Sequence, residues 1–198
     1  MKYRLTEETL ELEGITLHRI EAVESFGLVK AGEKGGWIEK ELNLSQSGDA
    51  WVSGNAKVSG NAKVSGNAKV SGNAEVFGKA WVSGNAEVFG NAKVSGKAWV
   101  SGNAKVSGNA EVFGDAEVSG DAWVSGNADY IVFKNFWSSG MYFTWTRSND
   151  MWKVGCFYGS GEELIKKAYG ESEEYGRYYE AFVKFVETLK VIKKGGKE

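Results

Sequence analysis

Apolar positions in the middle of this chain fall on a period of six. From residue 48 to residue 131 the hexad Gly-Asn-Ala-x-Val-Ser recurs fourteen times. Glycine stands at Gly48, Gly54 and every sixth position to Gly126, alanine at Ala50 to Ala128, and valine at Val52 to Val124, until Tyr130 breaks the series. Ala and Val are two apart and share one face of an extended strand, while x and the following Ser or Phe face the other way. Gly and Asn suit the positive φ of a tight corner. Each hexad therefore predicts a short Ala-x-Val-Ser strand and a Gly-Asn turn. One hexad cannot bury its own Ala and Val, but hexads stacked along an axis can. The pattern predicts a parallel β-helix over residues 48–129.

The flanks follow other rules. In residues 1–47, Tyr3 to Leu5, Thr9 to Leu12 and Ile15 to Val23 read as strands, and Gly35-Gly36-Trp37-Ile38 leads toward the coil. The first rung of a β-helix must be covered or it will pair with another molecule, so an N-terminal β cap is expected. In residues 130–198, Tyr130 to Trp137, Met141 to Arg147 and Met151 to Tyr158 read as a three-stranded meander with polar turns. Ser160 with Glu163 is a capping box opening a short helix to Ala168. A second helix begins near Ser172, with Tyr175, Tyr179, Phe182, Val186 and Leu189 forming one apolar stripe. The result is a C-terminal α+β cap of three strands and two helices.

An aliphatic residue followed four positions later by a small one, as in Val58 and Ala62 or Val64 and Ala68, resembles the left-handed β-helix of the hexapeptide-repeat family. That resemblance implies three hexads, about 18 residues, per triangular coil, and a left hand against the usual right-handed crossover. At 18 residues per turn three outward columns can be read. One holds Lys57, Glu75, Lys93, Glu111 and Asp129, with signs that alternate until the last pair. The second holds Lys63, Trp81, Trp99 and Glu117, and the third Trp51, Lys69, Glu87, Lys105 and Trp123. Asn55, Asn73, Asn91, Asn109 and Asn127 form a corner column suited to an amide ladder.

The N-terminal series sharpens the resemblance. Lys2-Tyr3-Arg4-Leu5, Leu17-His18-Arg19-Ile20, Phe26-Gly27-Leu28-Val29-Lys30-Ala31-Gly32, Gly35-Gly36-Trp37-Ile38 and Asn43-Leu44-Ser45-Gln46 follow in order. This series is similar to the start of YdcK-like hexapeptide-repeat proteins of bacteria and their phages. The resemblance implies a bacterial or phage origin and brings no activity with it.

Charge narrows the classes. The net charge is −2, and the repeat carries seven basic and eight acidic residues. Such even spacing argues against a basic groove that tracks phosphates, so general nucleic-acid binding is not expected. A lone cysteine, Cys156, excludes an internal disulfide framework. No signal peptide opens the chain and no segment is long and apolar enough to span a membrane, so a cytoplasmic location in a bacterial cell and no membrane partner are expected.

Catalytic chemistry finds little support. Left-handed β-helix acyltransferases use a histidine beside the coil and a protruding loop. Here the single histidine, His18, precedes the coil and the repeat has no insertion. A trimeric metal site lacks imidazole ligands for the same reason. Cys156 reads as a small packed side chain in a strand. Glu162, Glu163, Glu171, Glu173 and Glu174 sit at helix starts, where the dipole favours them. Lys193, Lys194 and Lys197 suit a solvated end. No enzyme activity, metal or cofactor is expected.

Outward aromatics carry the functional signal. Trp51, Trp81, Trp99 and Trp123 occupy x positions, Phe77, Phe89 and Phe113 replace the outward Ser, and Lys63 flanks the Trp81–Trp99 pair. Large aromatics on a flat surface serve as binding anchors, stack along a column as rungs do, or lie under a cap or a partner chain. Trp137, Trp145, Trp152, Tyr175, Tyr179 and Phe182 are candidate interface residues, because one small cap has more aromatics than it can bury. The expected function is a non-enzymatic interaction and assembly protein. It would bind a protein partner, such as a host defence protein if the source is a phage, and would form a homo-oligomer (dimer or trimer). Alternatives are a nucleotide or sugar binder using the Trp and Lys columns, and an enzyme with its site in the C-terminal domain.

Overall fold

A computed structural model describes residues 1–195, with side chains through Ile192. The side chains of Lys193 and Lys194, and Lys197, lie outside the described residues. The chain divides into two units, Met1–Ile131 with Thr146–Asn149, and Val132–Trp145 with Asp150–Glu198.

The first unit opens on β1 (Tyr3–Leu12) and β2 (Ile15–Ala22), an antiparallel pair. Their turn places Glu13 and Gly14 at positive φ, 51° and 81°, the geometry of a tight hairpin. The backbone between Leu5 and Thr9 slips register, so two expected strands form one bulged strand. Strand β2 pairs antiparallel with β3 (Lys34–Ile38), and β3 pairs in parallel with the coil through Trp37↔Lys57 and Ile38↔Val58. The N-terminal cap thus passes into the first rung without a break in the sheet.

From Trp51–Val52 to Trp123–Val124, each x–Val pair of the repeat is a two-residue parallel strand, β4 to β16. Partners lie 18 residues apart, as in Lys57↔Glu75, Lys63↔Trp81 and Trp51↔Lys69. Three hexads therefore make one turn, and the chain is mainly β, a parallel β-helix with three sheets. Every hexad Ala and Val from Ala50 to Val124 is buried. The corners need glycine: Gly84 has φ +66°, and a Cβ there would stand 3.0 Å from the backbone N and O of Gly102 on the next rung. Asn55, Asn73 and Asn91 each donate a side-chain amide to the next asparagine of the column, which ends at Asn109, at 3.1–3.3 Å. A second ladder joins Asn67, Asn85, Asn103 and Asp121 at 2.9–3.0 Å.

The first charged column keeps its register as far as Lys93↔Glu111, and its ion pairs run from Lys57 to Lys93. Lys57–Glu75 is 3.1 Å, Glu75–Lys93 is 3.8 Å and Glu87–Lys105 is 3.4 Å. Asp129 does not continue the first column. It ends a 3-10 turn, Asn127–Asp129, and its carboxylate accepts from the backbone N–H groups of Ser125 and Gly126 and from the Ser125 hydroxyl. Burial opposes its ionisation, but these hydrogen bonds and the charge of Arg147 outweigh it and hold its pKa below the ordinary value.

The coil has a direction, and its two ends have opposite hydrogen-bonding character. Each rung donates N–H groups to carbonyls of the rung that follows, as Trp81 N does to Ala98 O at 2.9 Å. The first rung therefore presents carbonyls and the last presents N–H groups. Donors cover the first: Lys2 Nζ reaches Gly48 O and Ala50 O, and Asn43 Nδ2 reaches Gly60 O and Ala62 O. The Tyr3 hydroxyl donates to Glu41 O and Leu44 O. Acceptors cover the last: Asn127 Oδ1 takes the Glu111 N–H, Ser148 Oγ the Trp123 N–H, and Asp129 the Ser125 N–H. Side chains of matching polarity thus close edges that would otherwise template another strand.

In the second unit lie most of β17 (Tyr130–Lys134) and β18 (Tyr142–Thr146), with β19 (Met151–Val154) and β20 (Phe157–Gly159), in that order in one sheet. The expected third strand is two. Gly155 takes φ +53° and the chain reverses there, so Met151 to Tyr158 is itself a hairpin. Helix α1 (Gly161–Glu171) runs one turn beyond Ala168, and its capping box forms, with the Ser160 hydroxyl accepting from Glu163 N. Helix α2 (Glu173–Gly195) packs its stripe on the sheet: Phe182 meets Phe133 at 4.8 Å between ring centroids, and Tyr179 meets Phe143 at 4.7 Å edge to face.

Candidate binding surfaces

The indoles of the coil obey one rule of register. Trp81 Nε1 donates to Ser65 Oγ at 2.9 Å, Trp99 Nε1 to Ser83 Oγ at 2.9 Å, and Trp123 Nε1 to Ser107 Oγ at 2.8 Å. Each indole leans over the preceding rung and satisfies its one donor sixteen residues back. Trp81 and Trp99 stack at 5.2 Å between centroids and 7° between planes, so no ligand ring can enter between them. They keep 44% and 36% of their surface exposed.

Trp51 breaks the rule, and the structure removes it from the candidate anchors. It is 5% exposed and lies beneath the N-terminal segment, with Phe26 at 5.4 Å and Tyr3 at 6.4 Å, both edge-on. The residue sixteen back is Gly35, which has no hydroxyl, and Trp51 Nε1 is buried without a partner. Gly35 also makes room, since a Cβ there would fall 2.6 Å from the Trp51 ring. Trp123, Phe77 and Phe113 are exposed, Phe89 is half-buried, and Lys63 is exposed.

The candidate interface residues divide. Trp145, Trp152 and Tyr179 are buried within the second unit and Phe182 packs among its rings, so these four are core and not contact surface. The Trp145 Nε1 donates to Asp150 Oδ1 at 2.8 Å, which satisfies its polar end internally. Tyr175 is half-buried and stacks on Tyr179. Trp137 alone of the six is open, 68% exposed, beside Phe136 at 74%. Their loop is organised by fully buried Asn135, whose Oδ1 accepts from Trp137 N and Ser138 N and whose Nδ2 reaches Ser138 Oγ. The sequence places Phe136 among the surplus aromatics of this cap without showing that it is exposed, and it gives Asn135 no role; an Asn before two aromatics and Ser-Ser-Gly is the signal of an Asx-type turn.

Cys156 is a further correction. It is exposed at the β19–β20 hairpin, not packed in a strand, because the Gly155 turn swings it outward. His18 is half-buried on β2, opposite Ile38. Among the described residues no three His, Cys, Asp or Glu side chains converge as a metal site, and no helix is long and apolar enough to cross a membrane.

These surfaces belong to a parallel β-helix protein with two aromatic clusters, one on the coil and one in the C-terminal unit. No protein-family model matches the chain, and no curated protein matches it.

Proposed function

We propose that this chain is a non-enzymatic interaction and assembly protein, in which the coil is a stiff scaffold and the C-terminal unit is the contact module for protein. The observation that carries this reading is the Phe136–Trp137 tip. Two large aromatics are held out to solvent by a buried Asn135, at a cost in exposed apolar area that folding alone does not explain. Phe185 and Ile192 on α2 are further exposed apolar side chains of the same unit. The partner this favours first is a second copy of the chain, since a two-fold dimer covers the same apolar patch on both copies at once.

The test is sedimentation of the full chain across a concentration series, beside Phe136→Ser with Trp137→Ser. The expected result is a concentration-dependent oligomer that the double variant reduces to monomer with its circular dichroism unchanged. A wild-type monomer at every concentration, or an oligomer indifferent to both substitutions, overturns the assignment of this tip.

A further inference from the structure

One corner of the coil abandons its amide ladder where the tryptophans stack. The hexads 78–83 and 96–101 both read Gly-Lys-Ala-Trp-Val-Ser, whereas the other two Trp hexads, 48–53 and 120–125, carry Asp in place of Lys. The two Lys hexads lie one turn apart and fall on one sheet, with Trp81↔Trp99 in register. Lys79 N donates to Gly96 O and Lys97 N to Gly114 O, both at 2.7 Å, so the column at this corner runs Asn61, Lys79, Lys97, Asp115. At the other two corners the same positions hold the hydrogen-bonded asparagines. Two ammonium groups on adjacent rungs, about one strand spacing of 4.8 Å apart at the backbone, repel one another where two amides would bond.

Nothing nearby compensates fully. Lys97 has Asp115 at 3.8 Å. Among the described residues neither Lys63 nor Lys79 forms an ion pair, and both are exposed. The next rung before Trp81 carries Lys63 in the same column, so the aromatic stack ends at Trp81. The cation–ring contacts of the described residues lie elsewhere, which leaves the outer face of the Trp81 indole without an ammonium over it. The indole N–H groups are already spent on Ser65 and Ser83, so the patch offers ring surface and positive charge but no indole donor.

We propose that Lys63, Lys79, Lys97 and Trp81 form a binding site for a nucleobase that carries phosphate. The base continues the Trp81–Trp99 stack on the outer face of Trp81, and the phosphate lies among the three ammonium groups. The even charge of the coil as a whole is compatible with this, because the cluster is local and is not a track along the rod. A free nucleotide and a single strand present the same chemistry. This inference stands apart from the C-terminal contact module and survives its failure.

The test titrates the full chain with AMP and, separately, with an eight-nucleotide oligo(dT), by calorimetry at low salt. Adenosine and inorganic phosphate serve as half-ligand controls. Binding of either probe, weakened at least tenfold in Trp81→Ala and in the Lys79→Asn, Lys97→Asn double variant, is the expected result. AMP binding assigns the free nucleotide, and oligo(dT) binding alone assigns the strand. The Asn variant supplies a second readout: it extends the amide column, so its Tm rises or holds while binding falls. No binding of either probe at millimolar concentration, or equal binding by the variants, overturns the site.

Discussion

Lys2 Nζ donates to the carbonyl of Ala50 at 2.8 Å from a side chain that is buried. The ammonium is bound to the first-rung carbonyls of the coil, and it is held there against its own hydration. Burial pushes its pKa down from 10.5 to about 8, and the charge of Asp49 opposes that only in part. The folded chain therefore gives up this proton earlier than the unfolded chain does. Below pH 8 the cost of the buried charge is fully present. From about pH 8 to 10.5 the unfolded state binds more protons, so this group makes stability rise with pH, at no more than about 1.4 kcal/mol per pH unit. Above pH 10 the buried Tyr3 hydroxyl works the other way, because burial and then Glu41 raise its pKa above the ordinary phenol value. Urea midpoints of the coil should climb between pH 7.5 and 9.5 and fall beyond 10. Lys2→Met should remove the climb, and its deficit relative to wild type should grow with pH to about 1–3 kcal/mol near pH 9.5, since it strands the carbonyls of Gly48 and Ala50 while also removing the cost of the buried charge at lower pH. A pH-independent midpoint from 7.5 to 9.5 in the wild type contradicts the assignment.

The far end of the coil should fail in a different way. Ending the chain after Val124 removes the acceptors Asn127, Asp129 and Ser148 together, and leaves the Glu111 and Trp123 N–H groups on an open parallel edge. Such an edge recruits strands from other molecules. The truncated protein should elute as large species in light scattering and bind an amyloid-type dye. A monodisperse truncation would show that these side chains are dispensable. The single variant Ser148→Ala, which strands only the Trp123 donor, should cost about 1 kcal/mol and stay soluble.

The repeat could be read from the sequence because every hexad states the same local rule. Ala62 and Val64 face inward in any register that buries them, but the period of six leaves the number of hexads per turn open; the 18-residue turn is what the resemblance to hexapeptide-repeat proteins implies, and the register Lys57↔Glu75 bears it out. The ends could not be read so well, because they obey no period. That Lys2 would cap Ala50, or that Gly35 would leave Trp51 Nε1 without a hydroxyl, depends on contacts between residues 16 to 48 apart in the chain. Trp51 has the same hexad as Trp123, so nothing local distinguishes the buried ring from the exposed one; only the N-terminal segment does. In the C-terminal unit, composition showed an excess of aromatics but not which would be core. Trp152 is enclosed by Phe133 and Phe143, whereas Trp137, also in an apolar run, is turned outward by Asn135. The strand boundary at Gly155 was hidden because one positive-φ glycine inside an alternating run looks like part of the run.

Corner glycines should differ in what they tolerate. Gly84 and Gly114 have nearly the same φ, +66° and +70°, so alanine at either meets the left-handed penalty of about 1–2 kcal/mol. At Gly84 the new Cβ also meets the Gly102 backbone at 3.0 Å, while at Gly114 nothing lies within 4 Å. The Gly102 backbone cannot move without disturbing the rung it bonds to, so Gly84→Ala should cost about 1–3 kcal/mol more than Gly114→Ala. Equal losses in denaturant titrations of the two variants would mean that the rungs yield more freely than close packing allows.

Cys156 gives the simplest check on the C-terminal unit. A strand residue between Gly155 and Phe157 in a continuous third strand would be alternately packed and hard to reach, and labelling would then wait for unfolding. The hairpin at Gly155 instead puts the thiol on the surface. A thiol-specific chromogenic disulfide should therefore react with one equivalent of native protein without denaturant, at a rate within about tenfold of that in urea, because no opening of the fold precedes the reaction. Adding urea below the unfolding midpoint should leave the rate almost unchanged. A native rate suppressed a hundredfold or more, and restored only through the unfolding transition, would return Cys156 to the interior and with it the three-stranded reading of residues 130–158.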